Sequence, residues 1–227
     1  MPLLRPEIEE LLEDNKDHFC GDDFARICVK IVAVADLPTR FGDFQIVAFC
    51  NNKEEQDHVA LVHGDVSGLA DVPVRIHSEC LTGDALGSLR CDCRDQLTTS
   101  LETLSSMDNG ILLYLRQEGR GIGLQNKMKA YQLQDFGYDT VEANEALGFR
   151  DDERDYGIAA HMLMSLGVES VQLLTNNPKK IDDLRSYGVK VSGRIPVLIE
   201  PNEHNERYLM TKMNKSGHML DDLFVQV

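Results

Sequence analysis

From residue 110 onward the chain alternates β-branched apolar runs with stretches of helical period that each close on a glycine. "GILLYLR" reads as a buried strand, "LQNKMKAYQLQDFG" as a helix ended by Gly137 and "DYGIAAHMLMSLG" as a helix ended by Gly167. "SVQLLT", "NPKKIDDLRSYG" and "VKVSGRIPVLI" then read as strand, helix and strand. Such a rhythm is satisfied by helices packed on a sheet. Ahead of it "ICVKIVAVADL", "FQIVAFC", "HVALVHGDV" and "VPVRIH" are strand-like runs punctuated by Gly, Asn and Asp. The expected fold class is α/β: a mixed sheet with a strand-rich amino-terminal half and a βαβ-type carboxy-terminal half.

With 42% hydrophobic residues in 227, the chain can bury a proper core. No apolar run is long enough to cross a bilayer, and "MPLLRPEIEELLEDNKDHF" has neither the basic nor the apolar region of a secretory signal. A soluble, cytoplasmic protein is the expectation, with residues 6–17 as a short acidic helix. In a reducing compartment six cysteines point to ligands, nucleophiles or core packing rather than disulfides. The net charge is −15, unevenly spread: between Arg75 and Arg194 there are 14 Lys/Arg against 18 Asp/Glu, and the flanks carry the rest of the acidity. So acidic a chain is a poor partner for nucleic acid, whose affinity rests on basic patches. An anionic small molecule would have to be captured by a few placed Arg and Lys in the middle segment.

The stretch "RIHSECLTGDALGSLRCDC" crowds Cys80, Cys91 and Cys93 into fourteen positions. In extended backbone, residues two apart point the same way, so Cys91 and Cys93 can reach one metal. Gly83 and Gly87 would let the intervening loop return Cys80 to that pair. Thiolates favour zinc over magnesium or calcium. The plainer reading packs all three as small hydrophobes, as expected of Cys20, Cys28 and Cys50. The charges of Arg90, Asp92, Arg94 and Asp95 argue against a deep core here. His77 or Cys50 could close the coordination, or a position stays open for chemistry. The H-x-E of "HSE" fits a zinc nucleobase deaminase, but the "CDC" spacing does not.

"RIHSECLTGDALGSLRCDCRDQL", followed by "RQEGRGIGLQNKMKAYQLQDFGYDTVEAN", resembles the GTP cyclohydrolase II family of riboflavin biosynthesis. "LGFRDDERDYGIAA", "LLTNNPKKI" and "YLMTKMNKSGHML" extend the resemblance over Val34–Leu220. It implies hydrolysis of GTP to 2,5-diamino-6-(5-phosphoribosylamino)pyrimidin-4(3H)-one, formate and pyrophosphate. It also implies zinc at Cys80, Cys91 and Cys93 with water in the fourth position, magnesium on the phosphates and a homodimer. Residues 31–227 then form the catalytic domain and 1–30 an acidic extension, too short for the dihydroxybutanone-phosphate synthase domain that bifunctional relatives carry upstream.

The resemblance assigns GTP contacts to Arg75, Ile76, His77, Ser78, Glu79, Gln96, Glu118, Gly119, Arg120, Thr140, Thr175 and Lys180. Taken alone, Arg75 would be a surface charge and "EGRGIGL" a turn. Within the pattern, glycines admit a ligand to the backbone, and the Glu118 carboxylate suits guanine's N1–H and amino group. "TNNPKK" needs less borrowing. Asn177 is a fit N-cap, Pro178 suits the first helical position, and Lys180 lies where free N–H groups attract anions. Asp152 and Arg154 match a proton acceptor and a nucleophile, although a guanidinium is a poor nucleophile and Arg154 could instead stabilise charge on the α-phosphate. Tyr131 matches a tyrosine near the base and would otherwise be helix packing. Arg94 and Asp95 replace less charged residues of relatives and would alter the edge of the site. Two rivals share these features: a paralogue yielding a formylated pyrimidine, and a zinc-stabilised nucleotide-binding protein without turnover.

Overall fold

The computed structural model of the protein describes residues 8, 12–13 and 26–224. The acidic helix expected over 6–17 therefore falls mostly outside the described residues, as does Cys20. Seven strands form one sheet: β1 (Val29–Thr39), β2 (Gly42–Asn51), β3 (His58–His63), β4 (Val72–Ser78), β5 (Gly110–Leu115), β6 (Val171–Leu174) and β7 (Val191–Ile195), in the spatial order β1-β2-β3-β5-β4-β6-β7. The first three strands and β5 pair antiparallel. From β5 through β4 and β6 to β7 the pairing is parallel. The mixed sheet expected from the sequence is present, but its two parts interlock: β4, from the strand-rich first half, pairs parallel with β5 and β6, and β5 pairs antiparallel with β3.

The strands earn their places by pattern. β3 alternates buried and half-buried residues, as a strand with two different faces does, whereas "GILLYL" in β5 is buried almost throughout because helices cover both of its faces. On one face α1 (Cys93–Ser105) lays Leu101 and Leu104 on Phe44, Leu112 and Leu174. On the other, α4 (Gly157–Ser165) buries Ile158, Ala159, Met162 and Leu163 against Val47, Val74, Ile76, Ile111 and Leu113. Leu184 of α5 (Pro178–Ser186) joins that cluster. The crossovers after β4 and after β5 thus leave on opposite faces of the sheet. Such a switch opens a crevice beyond the carboxyl ends of the parallel strands.

Around that crevice stand α2 (Gly123–Asp135), α3 (Thr140–Ala146) and α6 (Glu206–Ser216), and a short α7 (Asp221–Phe224) follows. Periodicity in the sequence marks α2, α4 and α5 but not α1, α3 or α6, whose apolar stripes are interrupted by Thr, Asn and Lys. No helix among the described residues is long and apolar enough to cross a membrane.

Candidate active site

β4 delivers the site. Its even positions Val74 and Ile76 enter the core, and its odd positions Arg75 and His77 face the opposite way, into the cavity. The chain then leaves the sheet at Ser78 and coils into a tight turn over Leu81–Ala85. Arg94 grips that turn by donating to the carbonyls of Gly83, Asp84 and Ala85 at 3.1, 3.0 and 2.9 Å. The Arg94 charge thus holds the loop.

The loop brings Cys80, Cys91 and Cys93 together, with their sulfurs within 4.8 Å of one another. The reason differs from the one expected. Cys93 begins α1 and Asp92 is its N-cap at φ −97°, ψ 11°, so a helix start, not extended backbone, aims both sulfurs inward. Gly83 makes room: a Cβ there would lie 2.8 Å from Cys91 Sγ and 3.2 Å from Cys80 Sγ. Lys127 of α2, which no motif in the sequence marks, donates to Cys80 Sγ at 3.1 Å. Hydrogen bonds from Cys91 and Cys93, aided by that ammonium, pull the Cys80 thiol far down. The same bond to Cys80 pushes Cys91 up to about 11 and Cys93 well above the ordinary thiol range. Three soft ligands, one already favoured as thiolate, in a cradle that a single methyl would fill, fit a zinc ion.

His77 and Cys50 do not join them. His77 Nε2 lies 3.0 Å from both oxygens of Asp84, and burial holds the ring below its usual pKa, hence neutral. Asp84 also accepts from Tyr114 Oη at 2.8 Å and from the Cys80 amide at 3.0 Å, so it orients the first ligand from behind. Cys28 and Cys50 are half-buried at and beside the outer strands.

Cations line the remainder of the cavity. Arg75, only 4% exposed, donates to the Leu174 carbonyl at 3.0 Å and to Gln96 Oε1 at 2.6 Å, while its Nε is buried without a partner. Lys180 donates to the Ile76 carbonyl of β4 at 2.7 Å. Burial, then Arg75 and Arg154, pushes its ammonium well below the ordinary lysine range. Arg154 makes a forked pair with Asp152, 2.8 Å from Nε and 2.6 Å from Nη2, and donates to Ser78 Oγ at 3.3 Å. Arg120 pairs with Asp151, leaving Nη2 buried and unpartnered. Its backbone, with that of Gly119, is left-handed (φ 58° and 64°), which only glycine adopts freely. Cations held this tightly in a largely buried wall call for an anion.

A family model described as GTP cyclohydrolase II matches residues 30–196. The chain belongs to the GTP cyclohydrolase II family. It is 54% identical over 191 residues to GTP cyclohydrolase-2 of Picrophilus torridus, covering 84% of this chain and 99% of the relative. With GTP cyclohydrolase-2 of Escherichia coli it shares 55% over 193 residues, covering 85% and 98%. With riboflavin biosynthesis protein RibBA of Bacillus subtilis it shares 58% over 185 residues, 81% of this chain but 46% of that protein. The RibBA of Synechocystis is 56% identical over 189 residues, 82% of this chain and 34% of the relative, so the chain spans about a third to a half of these RibBA proteins.

Most residues singled out by the GTP cyclohydrolase II resemblance line this one cavity: Arg75, His77, Ser78, Glu79, Gln96, Glu118, Gly119, Arg120, Tyr131, Thr140, Arg154, Thr175, Lys180 and the three cysteines. Ile76 does not, for its side chain is core and only its carbonyl serves the site. Asp152 stands behind Arg154. Thr175 Oγ1 accepts from the Asn177 amide at 3.0 Å, and Asn177 caps α5 as expected, accepting from Lys179 N at 2.9 Å. Thr140 opens α3 behind a capping box built by Asp139 and Glu142. Glu118 is partly spent within the protein: Leu81 N, Gly119 N and Lys127 Nζ donate to it at 2.6, 2.7 and 2.7 Å.

Four further cavity residues, Tyr208, Lys212, His218 and Leu220, lie beyond the matched 30–196. Asp92, whose charge suggests exposure, is 2% exposed and paired with Lys212 at 2.8 Å. The periodic signal available was Lys127 and Tyr131, four apart on one face of α2. Nothing comparable marks Asp92 or Lys212, whose partnership spans 120 residues.

Proposed function

We propose that this chain hydrolyses GTP to 2,5-diamino-6-(5-phosphoribosylamino)pyrimidin-4(3H)-one, formate and pyrophosphate, the entry reaction of riboflavin biosynthesis, as a homodimer. The observation that carries the reading is one cavity lined both by a three-sulfur cluster and by buried Arg75, Arg154 and Lys180. Cys80, Cys91 and Cys93 would hold zinc, which supplies a Lewis acid for hydrolytic opening of the imidazole ring. Magnesium would accompany the triphosphate.

The remaining chemistry falls to side chains. Tyr131 Oη lies 3.3 Å from Thr82 Oγ1, and burial raises it to about 12, so at neutral pH it keeps its proton and can offer its O–H as a hydrogen bond to the substrate. Glu118 has one acceptor position left on Oε2, enough for one N–H of guanine. Gln96 gives its carbonyl to Arg75 and an N–H to Asp92, so its part is to hold the arginine. Asp152 is lowered to about 2 despite its burial, because Arg154 is bound to it in a fork. Arg154 is raised correspondingly, its own burial outweighed by the nearby Tyr156 and Asp152. A carboxylate that weak cannot take a proton from a guanidinium that basic. The pair supports Arg154 as a fixed charge for the α-phosphate rather than as a nucleophile.

Incubation with GTP, following formate, pyrophosphate and the pyrimidine separately, tests the reading. All three should appear together and depend on zinc. Pyrophosphate without formate, a formylated pyrimidine, or equal turnover of ATP would overturn it.

A further inference from the structure

An aspartate at a helix N-cap ordinarily accepts from the free amides of the first turn. Asp92 does not: no side-chain cap bond is made to α1. Its Oδ1 accepts instead from Lys212 Nζ at 2.8 Å and its Oδ2 from Gln96 Nε2 at 2.5 Å. Gln96 passes the connection on to Arg75, and Arg75 to the Leu174 carbonyl. The Lys212 ammonium also lies 4.3 Å from the centre of the Tyr208 ring on its own helix. Both members of the pair are buried, with side chains 10% and 3% exposed. A buried pair recovers its desolvation cost only with good geometry, so its value lies less in stability than in fixing one arrangement. Asp92 stands between Cys91 and Cys93, and fixing its carboxylate fixes the peptide that aims both sulfurs.

We propose that Lys212 is a positioning residue: from α6, outside the segment matched by the family model, it locks the Cys91–Asp92–Cys93 turn in the geometry that holds the metal. The inference rests on the reading of the three cysteines as zinc ligands. Lys215, one turn on along the same helix, provides the contrast, since it pairs with Asp139 and Glu142 on the exposed side and touches no part of the turn.

The experiment compares full-length wild type, Lys212→Met, Lys212→Arg, Lys215→Met and the double variant Asp92→Asn/Lys212→Met. Each is followed for zinc loss to a chromogenic chelator, the visible spectrum of the cobalt(II)-substituted protein, thermal unfolding, and kcat and KM for GTP. Lys212→Met should lose zinc about 10–100-fold faster, the usual range for removing a group that orients a ligand. Its cobalt spectrum should shift and kcat should fall while KM holds. Lys212→Arg should restore part of the retention, and Lys215→Met should behave as wild type. The double variant leaves neither member of the pair facing an orphaned partner, so it keeps the test alive where the single one unfolds. Its stability should recover while its zinc stays labile. Zinc retention that tracks stability alone, or a raised KM with zinc held normally, overturns the positioning role. Wild type holding no zinc at the three cysteines sinks the metal reading itself and this inference with it.

Discussion

Gly83 and Arg120 show how far the site is specified by single backbone positions. Gly83 has ordinary dihedral angles and is glycine for space alone, since its Cβ would press on two sulfurs and on Cys93 Cβ at 3.0 Å. Gly83→Ala should therefore leave the sheet intact but lower zinc affinity about 10–100-fold, read by metal content after dialysis against a competing chelator. Arg120 is the reverse case, a long side chain kept where the backbone resists it. The left-handed conformation costs a non-glycine residue about 1–2 kcal/mol. Arg120→Ala and Arg120→Gly both lose the pair with Asp151, but only glycine relieves the backbone. Arg120→Gly should be the more stable of the two by about 1 kcal/mol in urea unfolding, and both should bind GTP poorly. If alanine is as well tolerated as glycine, the strain inferred at residue 120 is absent.

At the scale of elements, strand and helix ends do the positioning. α5 places Lys180 because Asn177 caps it and Pro178 fixes its first φ. Asn177→Ala should cost about 1 kcal/mol of stability and raise KM for GTP more than it lowers kcat. Unfolding in urea and steady-state kinetics measure the two effects, and a lowered kcat at constant KM would contradict a binding role for this helix start. This element was legible in "TNNPKK" because capping chemistry is local. So were the strands, whose period and punctuation are local too. What escaped was non-local. α1 begins inside the cysteine motif, and its polar run "CRDQLTTSLETLS" hides an apolar stripe that needs only Leu97, Leu101 and Leu104. Charge on Asp92 suggests exposure, because a partner at position 212 leaves no trace in the neighbouring sequence. Ile76 went the other way: its motif neighbours face the cavity, but strand alternation turns its side chain into the core.

At the scale of the whole molecule, a chain of net charge −15 encloses a cavity walled by arginines and lysines. Those cations bear on His218, whose Nδ1 is buried in that wall without a partner. Burial first, then Lys212, Arg120, Arg154 and Lys180, lowers its pKa to about 3 from an ordinary 6.5. The folded protein thus keeps this imidazole neutral over a range in which the unfolded chain protonates it. Between about pH 6.5 and 3 the unfolded state binds the extra proton, so stability rises with pH there and is lost as pH falls. The slope from one such group is at most about 1.4 kcal/mol per pH unit. Asp152, lowered to about 2 from 3.8, adds a loss only at more acid pH. His218→Gln removes the titrating group while keeping a polar side chain. Urea unfolding at intervals from pH 8 to 4.5, with zinc in constant excess, should show the variant losing less stability on acidification than wild type. The stability difference between the two should be constant above about pH 6.5 and shift steadily in the variant's favour below it. Curves that stay parallel throughout would mean that His218 protonates as readily in the fold as out of it, and that the cations around it are already neutralised from within.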